Sequence, residues 1–414
     1  MIDTQIYSEL RKSQKKRPRI LFVCFADSTH SQSWMSLLDK TEFDVRVFAS
    51  PVESSAQYPP VVWRFPTYCT VRPDRRQGSE KVISLLPNRP APVLSVAQWL
   101  ERRFYLTARY LRWIILRWQP DILHSLRLYP EAWLTQQVLQ YLPQSRRPRW
   151  VVSTWGSDLN VFSDQPPHRD QVKPILENCD GFFADCRRDL NKAISLGLSE
   201  SKLALPDLVP GTGGLRQDDF LNARSNHSNR NLIIVPKAYD APFHKTVVIL
   251  EALRMVGDAL DDYEIHLLMC SDEVRMWLSR MPEKIRRRLH AHETIPHDEF
   301  LKMLERTRVV IAPSLSDGTP NVMLEAMASG ALPLMSPIDS IQEWIEDGHN
   351  GLLAPALRAD LIAEALLRGL RDDELLERAQ RINGDLVSHR ANRDIIREQV
   401  LDYYQSLIVS SSTL

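Results

Sequence analysis

Two carboxylates and two lysines form the densest group of reactive side chains in this sequence. Asp317 and Glu325 lie in the stretch PSLSDGTPNVMLEAMASG, residues 313–330, with seven residues between them. Asp317, Gly318, Thr319 and Pro320 must turn sharply and then start a helix, so Asp317 stands on the turn and Glu325 further along the helix, beyond Asn321. A carboxylate accepts hydrogen bonds from two vicinal hydroxyls with charge-assisted strength, so a ribose diol and a sugar diol are both suitable partners. Backbone N–H groups of the turn and of the first helical turn suit an anion or a sugar hydroxyl. As ordinary structural parts, Asp317 would be a turn or cap residue and Glu325 would make a surface salt bridge. Glu325 is flanked by Leu324, Ala326 and Met327, where an unpaired carboxylate is costly, which favours a ligand or a fixed partner. Lys237 and Lys245 supply the positive charge that a diphosphate leaving group needs. His30 and His124 are candidate bases, although a lone histidine is more often a packing or solvent-facing residue.

These residues need elements to hold them. Apolar runs at residues 20–25, 45–49, 122–125, 150–154 and 181–184 lack period-two alternation, so they read as strands buried on both faces. Helical patterns between them, at 131–141 and 185–196, give a β-α-β-α order. In the loop DSTHSQ at 27–32, Ser28 and Thr29 can cap the next helix and present N–H groups to a phosphate or touch an acceptor. Around residues 206–229 the pattern breaks into Pro, Gly, Ser and Asn, and a second series of runs follows at 232–235, 265–269, 309–312 and 332–335. Lys237 sits just after the first of these, and Lys245 opens the next helix. The tail from 358 to 408 reads as two or three helices. The fold class expected is therefore α/β, with two Rossmann-like doubly wound domains facing an interdomain cleft that holds the ligand. Residues 1–210 form the first domain, 211–390 the second, and 391–414 a helix returning toward the first.

Composition narrows the partners. Lys plus Arg and Asp plus Glu number 52 each, so no global field attracts nucleic acid. Cys24, Cys69, Cys179, Cys186 and Cys270 form no CxxC pair and have no His set at zinc spacing, so a reduced, cytoplasmic protein without a metal site is expected. No stretch approaches the apolar length of a membrane-spanning helix, which leaves the chain soluble or at most peripheral at the inner face of a membrane. Two segments bear on that peripheral contact. RKSQKKRPR at 11–19 is either a solvated arm or a membrane-touching one. RRFYLTARYLRWIILRW at 102–118 either packs Leu106, Tyr110 and Ile114 on the sheet or lies in a membrane interface.

The stretch at 313–330 resembles the signature of glycosyltransferase family 4, the retaining enzymes of the GT-B fold. Asp317 and Glu325 match its paired acids, and QEWIEDGHNGLL at 342–353 resembles a later family stretch through Glu343, Gly348, Asn350, Gly351 and Leu352. Lys245 falls where the family has its diphosphate-binding lysine, and Lys237 where it has an arginine. PDILH, ending at His124, resembles a "P-D-x-x-H" strand, and STWGSD resembles an "H-G-x-D" loop through Gly156 and Asp158, with Trp155 in place of the histidine. Asp317 itself stands where glutamate is commoner.

The resemblance implies a donor held mainly by the second domain, with Glu325 on the ribose, Lys237 and Lys245 on the phosphates, and Asp317 with nearby N–H groups on the transferred sugar. It places Ser28, Thr29, His30, His124, Trp155, Gly156 and Asp158 at the acceptor or cleft side. The expected activity is metal-independent transfer, with retention, from a nucleoside diphosphate sugar that acts as co-substrate, and without a further cofactor. The acceptor would be a glycan, a lipid-linked or a small molecule in cell-surface polysaccharide or glycoconjugate synthesis. The alternative is an inactive GT-B binding or scaffold subunit.

Overall fold

The computed structural model describes residues 17–26, 28–50, 68–70, 105–217 and 230–411. Asp27, most of the basic arm, residues 51–67 and 71–104, and the second half of the 206–229 break lie outside them.

Strands β1 (Arg19–Cys24), β2 (Asp44–Ala49), β3 (Tyr68–Thr70), β4 (Ile122–Leu126), β5 (Arg149–Ser153), β6 (Gly181–Ala184) and β7 (Leu203–Leu208) form one sheet in the order β3-β2-β1-β4-β5-β6-β7. A second sheet is built from β8 (Leu232–Val235), β9 (Glu264–Leu267), β10 (Leu289–Ala291), β11 (Thr307–Ile311), β12 (Leu332–Met335) and β13 (Leu352–Leu353), in the order β10-β9-β8-β11-β12-β13. Pairing is parallel between β1 and its neighbours β2 and β4, and throughout the second sheet, while β3 runs antiparallel to β2. The continuous apolar runs have the reason given above: Ile20 to Val23 and Val309 to Ile311 are fully buried, because helices cover both faces.

By compactness the chain divides into two units. The described residues of Met1–Ser153, Asn178–Phe182 and Leu401–Leu414 make the first, and those of Thr154–Glu177 and Phe183–Val400 the second. This division lies elsewhere than the single boundary expected near residue 210. The loop after Ser153 and the segment after Phe182 make their hydrogen bonds with residues of the second unit, as the site below shows.

In the first unit, the helix Leu106–Trp118 buries Leu111, Ile114, Ile115 and Trp118. Tyr110 meets Phe48 of β2 at 5.8 Å between rings, so this helix packs on the sheet. Tyr404, on the helix Arg393–Ser411, is buried and accepts a hydrogen bond from Trp34 at 3.1 Å. In the second unit, Ile233, Leu267, Val309 and Leu332 share a core with Ile249 and Leu253 of the helix Thr246–Val256 and with Ile362 and Leu366 of the helix Ala359–Arg371. Each such side chain contributes about 1.5–3 kcal/mol by leaving water. Among the described residues no helix is long and apolar enough to cross a membrane.

Candidate functional site

The order of the second sheet decides where its ligands go. From β8 the chain moves outward through β9 to β10, then returns to β11 and proceeds the other way through β12 to β13. The direction reverses between β8 and β11, which pair in parallel, and loops leaving the carboxyl ends of such neighbours part to form a crevice. Lys237 leaves β8 and Asp317 leaves β11.

The two side chains meet there, with Lys237 Nζ 3.4 Å from Asp317 Oδ2. A pocket at this point is lined by Lys237, His244, Lys245, Asp317 and Pro320. Burial pushes the Asp317 carboxyl up, but the charge of Lys237, the neighbouring His244 and the Gly318 N–H together hold it below the ordinary value. Asp317 in turn raises the Lys237 ammonium above its usual range. His244 is lowered to about 4 by burial first and by the Lys237 charge second, so a neutral imidazole faces the pocket. Its backbone is fixed by a bridge to Ser314, and Leu315 N donates to Phe243 O at 2.9 Å. Lys245 stands at the N-cap of the helix Thr246–Val256, and among the described residues its ammonium has no hydrogen bond or ion pair. The pocket therefore holds one neutralised pair and one uncompensated positive charge.

Glu325 is held apart from that group. It is 3% exposed on the helix Asn321–Ser329, accepts from Asn321 Nδ2 at 2.7 Å, and lies 2.6 Å from His297 Nε2. Asn321 also accepts from Thr212 at 2.8 Å, so its amide orientation is fixed from both ends. The carboxylate expected to need a ligand or fixed partner has fixed partners in Asn321 and His297, of which His297 is largely exposed.

The turn itself is braced from below. A Cβ on Gly318 would fall 1.8 Å from Asp185 Oδ2, and one on Gly156, at φ +63°, would fall 2.3 Å from Gly318 N. Glycine is needed at both positions for this close approach. Asp185 Oδ2 accepts from Thr319 N at 3.3 Å, its backbone oxygen accepts from the Thr319 hydroxyl, and Gly318 N donates to Asp317 Oδ1 at 2.9 Å. The sequence assigned the Gly318 and Thr319 N–H groups to a ligand; that assignment is corrected, because both serve carboxylates of the protein. Ser157 donates to Ser316 at 3.2 Å, and Asp158 accepts from Trp155 N at 3.1 Å. Trp155, Gly156 and Asp158 thus belong to the second unit, where Gly156 supports the Asp317 turn. Burial, with Asp189 and Asp158 nearby, pushes the Asp185 carboxyl well above the carboxylate range.

Ser28, Thr29, His30 and His124 belong to the first unit. Ser28 caps the helix Thr29–Met35 by accepting from His30 N at 3.2 Å, as its residue type suggests. His124 is fully buried, with Nδ1 2.7 Å from Tyr404 Oη and Nε2 2.8 Å from Ser153 Oγ. Both ring nitrogens are engaged, and burial lowers its pKa to about 3, so of the two readings, candidate base and packing residue, His124 is the packing residue, a core histidine.

His244, His297 and Asp185 were missed by sequence reasoning. Asp185 directly follows the apolar run 181–184, a position that could have drawn notice, whereas His297 lies 28 residues before Glu325 with no local signal.

Residues 230–372, which carry this pocket, match the model of a family described as glycosyl transferases group 1. They form a glycosyl transferases group 1 domain. A phosphatidyl-myo-inositol mannosyltransferase of Mycobacterium leprae is 27% identical to the chain over 184 residues, 42% of this chain and 46% of that protein. A D-inositol 3-phosphate glycosyltransferase of Corynebacterium urealyticum is 22% identical over 277 residues, 61% of this chain and 64% of that protein. The chain thus spans about half to two thirds of the length of these curated relatives. Among solved structures, a sucrose-phosphate synthase from Thermosynechococcus elongatus superposes with a TM-score of 0.68 at 16% identity, covering 95% of this chain and all of that one. HepE of Anabaena, solved with UDP and glucose, gives 0.63 at 12% identity, covering 94% of this chain and all of that one. The group 1 domain therefore sits within the GT-B fold, two Rossmann-like sheets with helices on both faces.

Proposed function

We propose that the chain is a glycosyltransferase that moves a sugar, with retention at the anomeric carbon, from a nucleoside diphosphate sugar to an acceptor hydroxyl. The observation that carries this reading is the uncompensated Lys245 ammonium beside the Lys237–Asp317 pair, at the reversal point of the group 1 domain's sheet. When the anomeric C–O bond breaks, negative charge develops on the departing β-phosphate oxygen. A fixed cation in a partly dry pocket stabilises that charge without reorganisation. Lys245 takes this role, with Lys237 as the second cation, and no metal ion is needed at the phosphates. Asp317 accepts from hydroxyls of the transferred sugar, and Glu325, already oriented by Asn321 and His297, takes the ribose diol. The acceptor hydroxyl attacks on the face the diphosphate leaves, and its proton passes to the departing phosphate oxygen.

Residues 211–390 hold the donor in this reading, residues 1–210 the acceptor, and 391–414 return toward the latter. The relatives' names, mannosyl- and glycosyltransferases acting on inositol compounds, and a fold neighbour solved with UDP-glucose support the donor class. The acceptor is a glycan, a lipid-linked or a small molecule of glycoconjugate or surface-polysaccharide synthesis, reached in the cytoplasm or peripherally at the inner membrane face. Nucleic acid is not a partner, since the overall charge is balanced.

The test is to incubate the protein with UDP-, GDP- and ADP-sugars and candidate acceptors, follow release of nucleoside diphosphate, and read the product's anomeric configuration by proton NMR. Release from one nucleotide series, with the donor's configuration kept in the product, is expected. An inverted product contradicts the mechanism, and no release from any donor contradicts the activity.

A further inference from the structure

A second group of ligating side chains lies away from the pocket, at the other end of the strand order. β10 is the edge strand of the second sheet and pairs in parallel with β9, with His290 opposite His266. Strand side chains alternate between faces, so Glu264 and His266 share one face of β9, and His290 stands beside His266 on that face. The imidazoles of His266 and His290 stack at 4.8 Å between centroids and 24° between planes. His292, just beyond β10, donates its backbone N–H to Leu267 O at 2.8 Å, and its ring stacks on His266 at 5.1 Å.

The hydrogen bonding of this group leaves one nitrogen of His266 available. His266 Nδ1 lies 2.9 Å from His292 Nε2. His266 Nε2 is buried without a hydrogen-bond partner, 3.8 Å from Glu264 Oε2. One ligand atom each from Glu264, His266 and His290 falls within 4.8 Å of the others. We propose that Glu264, His266 and His290 hold a divalent transition-metal ion of the zinc class, with His292 supporting His266 through the Nδ1 contact. Two imidazoles and one carboxylate suit such an ion and leave one coordination position open. Metal-ligating histidines commonly use their second ring nitrogen in this way, which fixes the tautomer and orients the ring. Glu264 has 53% of its side chain exposed and is free to swing the short distance that coordination at about 2.0–2.2 Å requires. Of the nearby cations, Lys284 pairs with Asp258 at 2.6 Å and Asp261 at 2.7 Å, Arg287 with Glu283 at 2.8 Å and Arg288 with Asp261 at 3.7 Å, while the charge of Arg275 reaches His292.

The experiment uses the full chain without an affinity tag, stripped with chelator and dialysed. Zn2+ uptake is followed by calorimetry, Co2+ uptake by visible absorption, and the thermal midpoint is read with and without Zn2+. One equivalent is expected to bind with micromolar affinity and raise the midpoint. His266→Asn and His290→Gln should abolish the Co2+ spectrum, and His292→Phe should weaken binding by about 10–100-fold. Should either histidine variant fail to fold, Glu264→Gln at the exposed ligand gives the same readouts with at least a severalfold loss. No uptake by wild type, or equal uptake by the folded ligand variants, overturns the proposal.

Discussion

At Asp317 and Lys237, the direction of each shift fixes a pH window. The Asp317 carboxyl is lowered on folding, so its contribution to stability is present above the unfolded carboxylate value, about 3.9, and is lost as pH falls through the folded one. Lys237 is raised, so its contribution is complete below the unfolded lysine value, about 10.4, and is lost as pH rises through the folded one. Melting curves of wild type and Asp317→Asn should therefore differ by a constant amount near neutrality, and the difference should shrink at the acid end. His124 provides a second readout: its folded pKa of about 3 means that the unfolded chain binds a proton the folded one does not. On going from pH 6 to 4, urea unfolding of wild type should lose about 1.4 kcal/mol per pH unit more than that of His124→Gln, because the lowered His244 contributes the same slope to both. Asp317, Lys237 and Lys245 were picked out from residue type and place in the chain, and the structure brings these three to one pocket while Glu325 stands apart. His244 and His297 were not picked out, because their importance comes from elements that only the fold brings to Lys237 and to Glu325.

Turns and caps carry the next level. Gly318→Ala places a methyl group on Asp185 and should destabilise the chain by about 1–3 kcal/mol in urea titrations, with a matching loss of nucleotide binding. Glu343 accepts from Arg187 N at 2.8 Å and Arg188 N at 3.0 Å, which makes it the cap of the helix Arg187–Ser195 from far along the chain. Glu343→Ala should cost about 0.5–2 kcal/mol of stability while leaving the Lys237–Asp317 pair intact. Glu343 was visible in the sequence as part of QEWIEDGHNGLL, but nothing local links it to Arg187. The buried strands were readable because they are uninterrupted apolar runs. β7, with the sequence LALPDL, β10, with LHA, and the two-residue β13 were not, since short strands with polar residues or proline lack the run that marks a doubly covered strand.

For the whole molecule, the alternation of strand and helix was enough to yield two Rossmann-like sheets, because parallel pairing dictates both burial and crossover helices. Where the compact units divide was not readable: composition points to the break at 206–229, whereas Gly156 and Asp185 tie their segments to the Asp317 turn. In the proposed reaction the uncompensated charge at Lys245 receives a nucleoside diphosphate. The direct measurement is the thermal midpoint of wild type, Lys245→Ala and Glu325→Ala titrated with UDP, GDP and ADP, because a ligand bound to the folded state raises the midpoint by mass action. One nucleotide series should stabilise wild type, and each variant should need at least tenfold more of it for the same shift. No shift in wild type with any of the three, or an equal shift in Lys245→Ala, would rule out this role for Lys245.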